Sequence, residues 1–314
     1  MRLYDLTVGG RNWTSRNNPT ALTLECDITC VSQDMGGSQG NITLWGIAKE
    51  DISQAQDFAN KPCTLIGGMQ QGLPFANAQS GEAGILHKGY VYSSFANWVG
   101  TDMTLNFVVL PGDPPDQPPP PNAPNPPPKN IILNWKKDKP MADAVKQALQ
   151  TAYPGQSLNV NISSKLIAPQ DNIAYFGNLN ELGQKLREVS HQIMTGDNKY
   201  PGVGCCMQKG EITVFDGTSS SGGNQIAFID LIGLPTWIAT YTISIKCVMR
   251  GDLKIGDKIT LPPTLVVTTA AAQSGIKGPL TFQGSFTIQS LRHVGNSRQP
   301  DGAAWITVIE ALQD

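Results

Sequence analysis

The stretch PGDPPDQPPPPNAPNPPPKN, residues 111–130, divides this chain into two parts. Eleven of the eighteen residues from Pro111 to Pro128 are proline. Each proline fixes φ and removes an amide donor, so the run can join neither a helix nor a central strand, and its low-energy form is an extended polyproline II spacer. At about 3.1 Å per residue it reaches roughly 50 Å, more than a tie between touching domains needs. The expectation is a semi-rigid strut with folded bodies on either side. A docking ligand for an aromatic groove is the other reading of such a run, but no basic residues flank it on the N-terminal side.

On that side, TALTLECDIT (20–29) alternates strictly. Leu22, Leu24, Cys26 and Ile28 fall on one face and Ala21, Thr23, Glu25, Asp27 and Thr29 on the other, the period of a half-buried strand. NITLWGI (41–47), CTLIGGM (63–69), GILHKGYVYSSFANW (84–98) and TDMTLNFVVL (101–110) read as further strands. EDISQAQDF (50–58) reads as a short helix with Ile52, Ala55 and Phe58 on one side. Strands do not alternate with helices, so residues 1–110 are expected to form an antiparallel sheet or barrel. Its six basic and nine acidic side chains leave it mildly negative, a surface past which DNA could move without adhering.

Beyond the prolines, IILNW (131–135) is a strand candidate and Pro140 opens a helix where a missing amide costs nothing. Met141, Ala144, Val145, Ala148, Leu149 and Ala152 line one face of that helix, and Pro154-Gly155 ends it. A second helix starts at Asn178 with Glu181 as its capping-box partner, carries the stripe Leu179, Leu182, Leu186, Val189 and Ile193, and stops at Gly196. An α+β domain over 131–224 follows from these elements. From Glu211 the chain reads as strand after strand: EITVF, QIAFID, TYTISIKCVM, DKITL, TLVVTT, LTFQGSFTIQSLRHV and AAWITVIEAL. In the most regular of them Tyr241, Ile243, Ile245, Cys247 and Met249 are expected to face inward. The fold class expected is α+β, mainly β, with two antiparallel β-barrels (1–110 and 225–314), the α+β domain and the proline strut between them.

Composition narrows the function. The net charge of −2 offers no basic footprint for phosphate neutralisation. MRLYDLTVGG has no apolar h-region and no run of 18 apolar residues occurs, so neither a signal peptide nor membrane insertion is expected, and assembly in a cytoplasm is. Cys26, Cys30, Cys63, Cys205, Cys206 and Cys247 form no CxxC pair, and too few histidines (His87, His191, His293) lie near them to complete a tetrahedral zinc site, so buried reduced thiols are expected and no metal or cofactor. Cys205 and Cys206 are expected to alternate across one strand. Neither GxGxxG after a strand, GxxxxGK[ST], HExxH nor GxSxG is present. His191 reads as a helix-end partner for the dipole and His293 as a residue at a strand end. Acidic pairs such as Glu181 and Glu188, two turns apart on one helix, are what a glycosidase could use, but these two share a solvated face.

The C-terminal segment carries a resemblance. Leu231-Ile232-Gly233-Leu234-Pro235 is a turn before a strand, and Leu253 to Asp257 ends in Gly256-Asp257. A strand then runs through Gly284, Phe286, Ile288, Ser290, Leu291, His293 and Gly295, and a last one through Trp305, Thr307, Ile309 and Glu310. This series over roughly 85 residues resembles the end of phage baseplate hub proteins, the tail-tube-like components of contractile tails, related to the base of the type VI secretion spike. The signature positions carried over are Gly233, Pro235, Gly256, Asp257, His293, Gly295, Trp305 and Glu310, all structural. The resemblance implies a homotrimer whose two tube-like domains per subunit make a pseudo-sixfold ring. It would join the hexameric tail tube protein to the trimeric spike protein, touch other baseplate proteins, and let DNA pass through its lumen without specific binding. The expected location is the virion tail, and no enzymatic activity is expected. A tail-associated cell-wall hydrolase and a carbohydrate-binding tail adhesin are the alternatives.

Overall fold

The computed structural model describes residues 2–32, 38–69, 82–114, 129–196, 200–218, 223–262, 282 and 284–314. Most of the proline run and the TLVVTT stretch (264–269) lie outside the described residues, and so do the strut and the strand expected there.

In the N-terminal part, β1 (Arg2–Val8) and β2 (Arg11–Thr14) form a hairpin through Gly9 and Gly10, whose φ values of 56° and 90° suit a two-residue primed turn. After them come β3 (Thr23–Val31), β4 (Gln39–Trp45), β5 (Pro62–Met69), β6 (Gly84–Val99) and β7 (Asp102–Pro111). Helix α1 (Lys49–Ser53) leads into a 3₁₀ turn at Ala55–Phe58 that buries Ala55 and Phe58. On β3, Leu24, Cys26 and Ile28 are buried as the alternation requires.

The central body contains β8 (Ile131–Trp135), α2 (Met141–Ala152), β9 (Ser157–Asn161), β10 (Asn172–Phe176), α3 (Leu179–Ile193), β11 (Gly204–Gln208) and β12 (Glu211–Phe215). Both helices occur where their periodicity places them. The α2 stripe is buried from Met141 to Leu149, and α3 is capped by Asn178, whose Oδ1 accepts from the Glu181 amide at 2.9 Å while the Glu181 carboxylate accepts from the Gly177 amide at 2.7 Å. The two helices share one core with the inner face of β8 and with the three-stranded sheet β11-β12-β9. Strand β11 is covered on both faces: Cys205 and Met207 enter the helical core, and Cys206 enters the core of the C-terminal part. The adjacent cysteines therefore alternate as expected.

The C-terminal part comprises β13 (Gly223–Gln225), β14 (Thr236–Ala239), β15 (Thr242–Val248), β16 (Lys258–Thr260), β17 (Ser285–Asn296) and β18 (Trp305–Gln313). It departs from the expectation in several ways. QIAFID is the end of β13 followed by a 3₁₀ turn at Phe228–Asp230. β13 pairs parallel with β16, so this part is not wholly antiparallel. Tyr241 is 54 % exposed and sits at φ 62° between β14 and β15, so the inward alternation starts at Ile243. His293 is not at a strand end; β17 continues through it to Asn296 and it is buried.

Two separate barrels are not what the described residues form. They make a single thirteen-stranded sheet in the order β14-β15-β18-β17-β3-β4-β7-β6-β5-β1-β2, with β16 and β13 branching from β17. Among these residues the path does not close on itself. The link is β17 against β3, in register from Ser290↔Val31 to Asn296↔Glu25. Strands β3 and β15 each have a partner on both sides; the path ends at β14 and β2. The N-terminal core likewise includes Met249 and Trp305 from the C-terminal part.

Candidate assembly site

The seam between the two β parts is built from long-range pairs. Arg292 on β17 presents its guanidinium to Asp27 on β3 in a two-pronged contact, Nε to Oδ1 at 2.8 Å and Nη2 to Oδ2 at 2.6 Å. Asn296 Nδ2 donates to Glu25 Oε1 at 2.6 Å, and beyond the strand the Ser297 amide donates to the Leu24 carbonyl at 2.8 Å. Within the sheet, the amide of Arg250 donates to the Thr307 hydroxyl oxygen at 3.0 Å, and that hydroxyl lies 2.9 Å from His293 Nδ1. A hydroxyl that accepts from one neighbour can donate to the other, so we assign His293 as neutral with Nδ1 accepting. Burial and the nearby Lys209 charge push its pKa down to about 3. Burial likewise lowers His87 on β6 to about 4.

A second joint lies where the loop after β15 meets the start of β6. Arg250 is enclosed between Asp252, bonded at 2.8 and 2.7 Å, and Glu82 at 3.7 Å. Burial opposes its charge, but the Asp252 hydrogen bonds and the two carboxylates outweigh that and hold its pKa above the ordinary value. The Gly251 amide donates to the Glu82 carbonyl at 2.8 Å, and a Cβ on Gly84 would stand 2.3 Å from the Gly251 carbonyl oxygen, an approach only glycine permits. Trp305 Nε1 donates to the Gly68 carbonyl at 2.9 Å, tying β18 to the end of β5.

The signature positions do not converge on one site. His293, Gly295 and Trp305 meet along the β17–β18 pairing, where Gly295 stands opposite Trp305. Gly256, at φ 88°, and Asp257 turn the chain into β16; the Gly256 amide donates to Ile288 and Asp257 accepts from the Lys254 amide. Gly233, at φ 87°, and the buried Pro235 precede β14. Glu310 is exposed on β18 and borders a cleft between α3 and the C-terminal sheet. This cleft comprises two adjoining hollows of about 400 and 560 Å³ that share Arg187, His191, Pro201 and Gln289. Its polar lining is mixed in charge. Glu181 and Glu188 make no acid pair across it, since Glu181 caps α3 and Glu188 pairs with Lys185 at 3.0 Å.

Among the described residues, large apolar side chains gather at the surface in three places, apart from Ile167. Phe228, Ile229, Leu234, Ile238 and Tyr241 surround the free edge at β14. Tyr92, Phe95, Trp98 and Val99 lie along the far half of β6, and Ile132, Ile173 and Tyr175 on the outer face of β8 and β10. Sequence alternation did not single these out, because it reads a face as apolar without saying what covers it. Among the described residues no group of His, Cys, Asp and Glu is arranged to hold a metal, and no helix is long and apolar enough to cross a membrane.

No family model and no curated protein matches the sequence. Solved structures do. The chain is similar to the 43 kDa tail protein of prophage MuSo2 from Shewanella oneidensis over 100 % of its own length and 97 % of that chain, with 10 % identity and a TM-score of 0.53. A tail protein from Neisseria meningitidis MC58 matches over 100 % and 97 %, with 11 % identity and a TM-score of 0.49. A chain of a PdpA–VgrG complex matches over 99 % and 64 %, with 11 % identity and a TM-score of 0.44. The fold is thus shared with the MuSo2 prophage tail protein. It is mainly β, with antiparallel pairing dominant and the two longer helices, α2 and α3, in the central body.

Proposed function

We propose that the chain is a structural subunit of a phage-type tail, and within that class a baseplate hub that joins a hexameric tail tube to a trimeric spike. The observation that supports this reading is the single sheet spanning both β parts, with end strands β14 and β2 each paired on one side among the described residues. Open edges invite pairing with another chain unless something covers them, and the apolar side chains around β14 favour a protein neighbour. Three copies joined by head-to-tail contacts close a ring, and two β parts per copy give six quasi-equivalent units that fit a sixfold tube. We place the divisions at 1–110 and 225–314 for the β parts, 131–224 for the central body and 111–130 for the spacer. The lumen would carry DNA past polar and acidic side chains, since a basic lining would hold it by counterion release. The hub would perform no chemistry. Mass measurement of the purified chain and an axial electron-microscopic view of the assembled particle test this: a trimer with six-lobed density supports it, and a stable monomer or dimer in the particle overturns it.

A further inference from the structure

We propose that the cleft between α3 and the C-terminal sheet binds a neutral oligosaccharide. Its floor is the sheet face carried by β3, β17, β18 and β15, bordered by Val31, Ser290, Glu310 and Thr242, and its wall is α3 with the segment that follows it. The two hollows, about 400 and 560 Å³, fall within the roughly 300–1,000 Å³ of small-molecule sites. Departures from regular backbone meet at this cleft. Tyr241 holds φ 62°, left-handed backbone that a turn ordinarily gives to glycine or asparagine. Gln289 is the extra residue of a bulge where β17 slips against β18 between Ile288 and Ser290. Gly202, at φ 80°, lies so close to α3 that a Cβ on it would stand 2.7 Å from His191 Nε2 and 2.8 Å from Arg187 Cγ. Such irregular backbone concentrates where side chains are aimed at a ligand.

The polar groups left for a ligand suit a sugar. Of the carboxylates at the border, Glu188 pairs with Lys185 and Asp314 with Lys258, each at 3.0 Å. Arg187 and Glu310 remain, and among the described residues their charged ends have no hydrogen-bond or ion-pair partner. Gln289 accepts from the Ser32 hydroxyl at 3.2 Å through Oε1, which leaves its Nε2 donors free. A pyranose presents adjacent hydroxyls that both donate and accept, and a face of C–H groups. The Glu310 carboxylate accepts, the Arg187 guanidinium and the Gln289 carboxamide donate in fixed planes, and the exposed Tyr241 ring offers a surface for the C–H face. Glu310 thereby gains a role that its strand does not give it.

Other ligand classes fit less well. One free positive and one free negative side chain leave no excess of cations for a phosphate or a nucleic acid. A peptide added as a strand needs unpaired backbone groups, and each of the four floor strands is paired on both sides. The site uses no sheet edge, so it stands apart from the reading of the chain as a ring-forming subunit.

Isothermal titration of the purified full chain with maltotetraose, cellotetraose, tetra-N-acetylchitotetraose, anionic tetragalacturonate and inorganic phosphate tests this. A neutral tetrasaccharide should bind saturably and more tightly than tetragalacturonate or phosphate. Tyr241→Gly removes the ring and suits the left-handed backbone, so its melting temperature should stay at or above that of the unsubstituted chain while its affinity falls roughly tenfold. Glu310→Ala, at an exposed position, should melt unchanged and lose affinity to a similar degree. No binding of any neutral sugar, tighter binding of tetragalacturonate or phosphate, or affinity unchanged in either variant would overturn the proposal.

Discussion

The indole of Trp305 covers the backbone of Gly295 so closely that a Cβ added to the glycine would stand 2.3 Å from Trp305 Cε3. The two residues face each other across β17 and β18, and the ring then enters the N-terminal core. A glycine inside a strand weakens it unless something needs the space. Here the indole needs it.

Gly295→Ala should therefore destabilise the protein by about 1–3 kcal/mol through overpacking. Gly302→Ala, where an added Cβ meets nothing within 4 Å, should leave stability nearly unchanged. Denaturant midpoints of the two variants make the comparison, and equal losses would show that the indole is free to move aside.

Stability should decline with acid before the surface carboxylates titrate. His87 and His293 have folded-state pKa values of about 4 and about 3, below the ordinary 6.5. Between those values and 6.5 the unfolded chain binds more protons than the folded one, so stability rises with pH and is lost as pH falls through 6.5. Each histidine contributes at most about 1.4 kcal/mol per pH unit in that window. His293→Gln should flatten the decline measured between pH 6.5 and 4.5; an unchanged slope would mean that the ring protonates in the folded state.

The two arginines with two-pronged carboxylate contacts should differ sharply. Arg292 and Asp27 keep 54 % and 38 % of their side chains exposed, so Arg292→Ala should cost no more than about 1 kcal/mol. Arg250 is 7 % exposed, and Arg250→Met removes the buried cation that contacts both Asp252 and Glu82, at a cost of about 3–5 kcal/mol. Thermal melts of the pair rank them.

Helix α3 depends on its first turn. Asn178→Ala removes the acceptor for the Glu181 amide and should cost about 1 kcal/mol, while Asn178→Ser should retain most of it. Circular dichroism during thermal unfolding separates the two variants.

The helices were legible because periodicity, capping and stop signals all operate within about fifteen residues. Most strands were legible as faces for the same reason. Their partners were not: nothing in TLECDITC says that it pairs with LRHVGN, so one continuous sheet read as two barrels. His293 lies inside β17 and not at a strand end, because the Trp305 ring takes the space beside Gly295 and the strand passes through it. Tyr241 extended an alternation by one residue because left-handed backbone has no signature in a tyrosine. The β1–β2 hairpin shows the converse, since Gly9-Gly10 is a turn signal carried by the local sequence alone.

The pairing of β3 with β17 also sets a timetable. Arg292 and Asp27 are 265 residues apart. At roughly 5–20 residues per second a ribosome needs about 13–50 s to make the chain between them. During that interval β3 has left the ribosome and β17 does not yet exist, so one side of β3 stands open with Leu24, Cys26 and Ile28 in the strand beside it. A nascent chain of this protein is most exposed to mispairing in that window, and a chaperone that shelters a single strand edge would be needed for less than a minute.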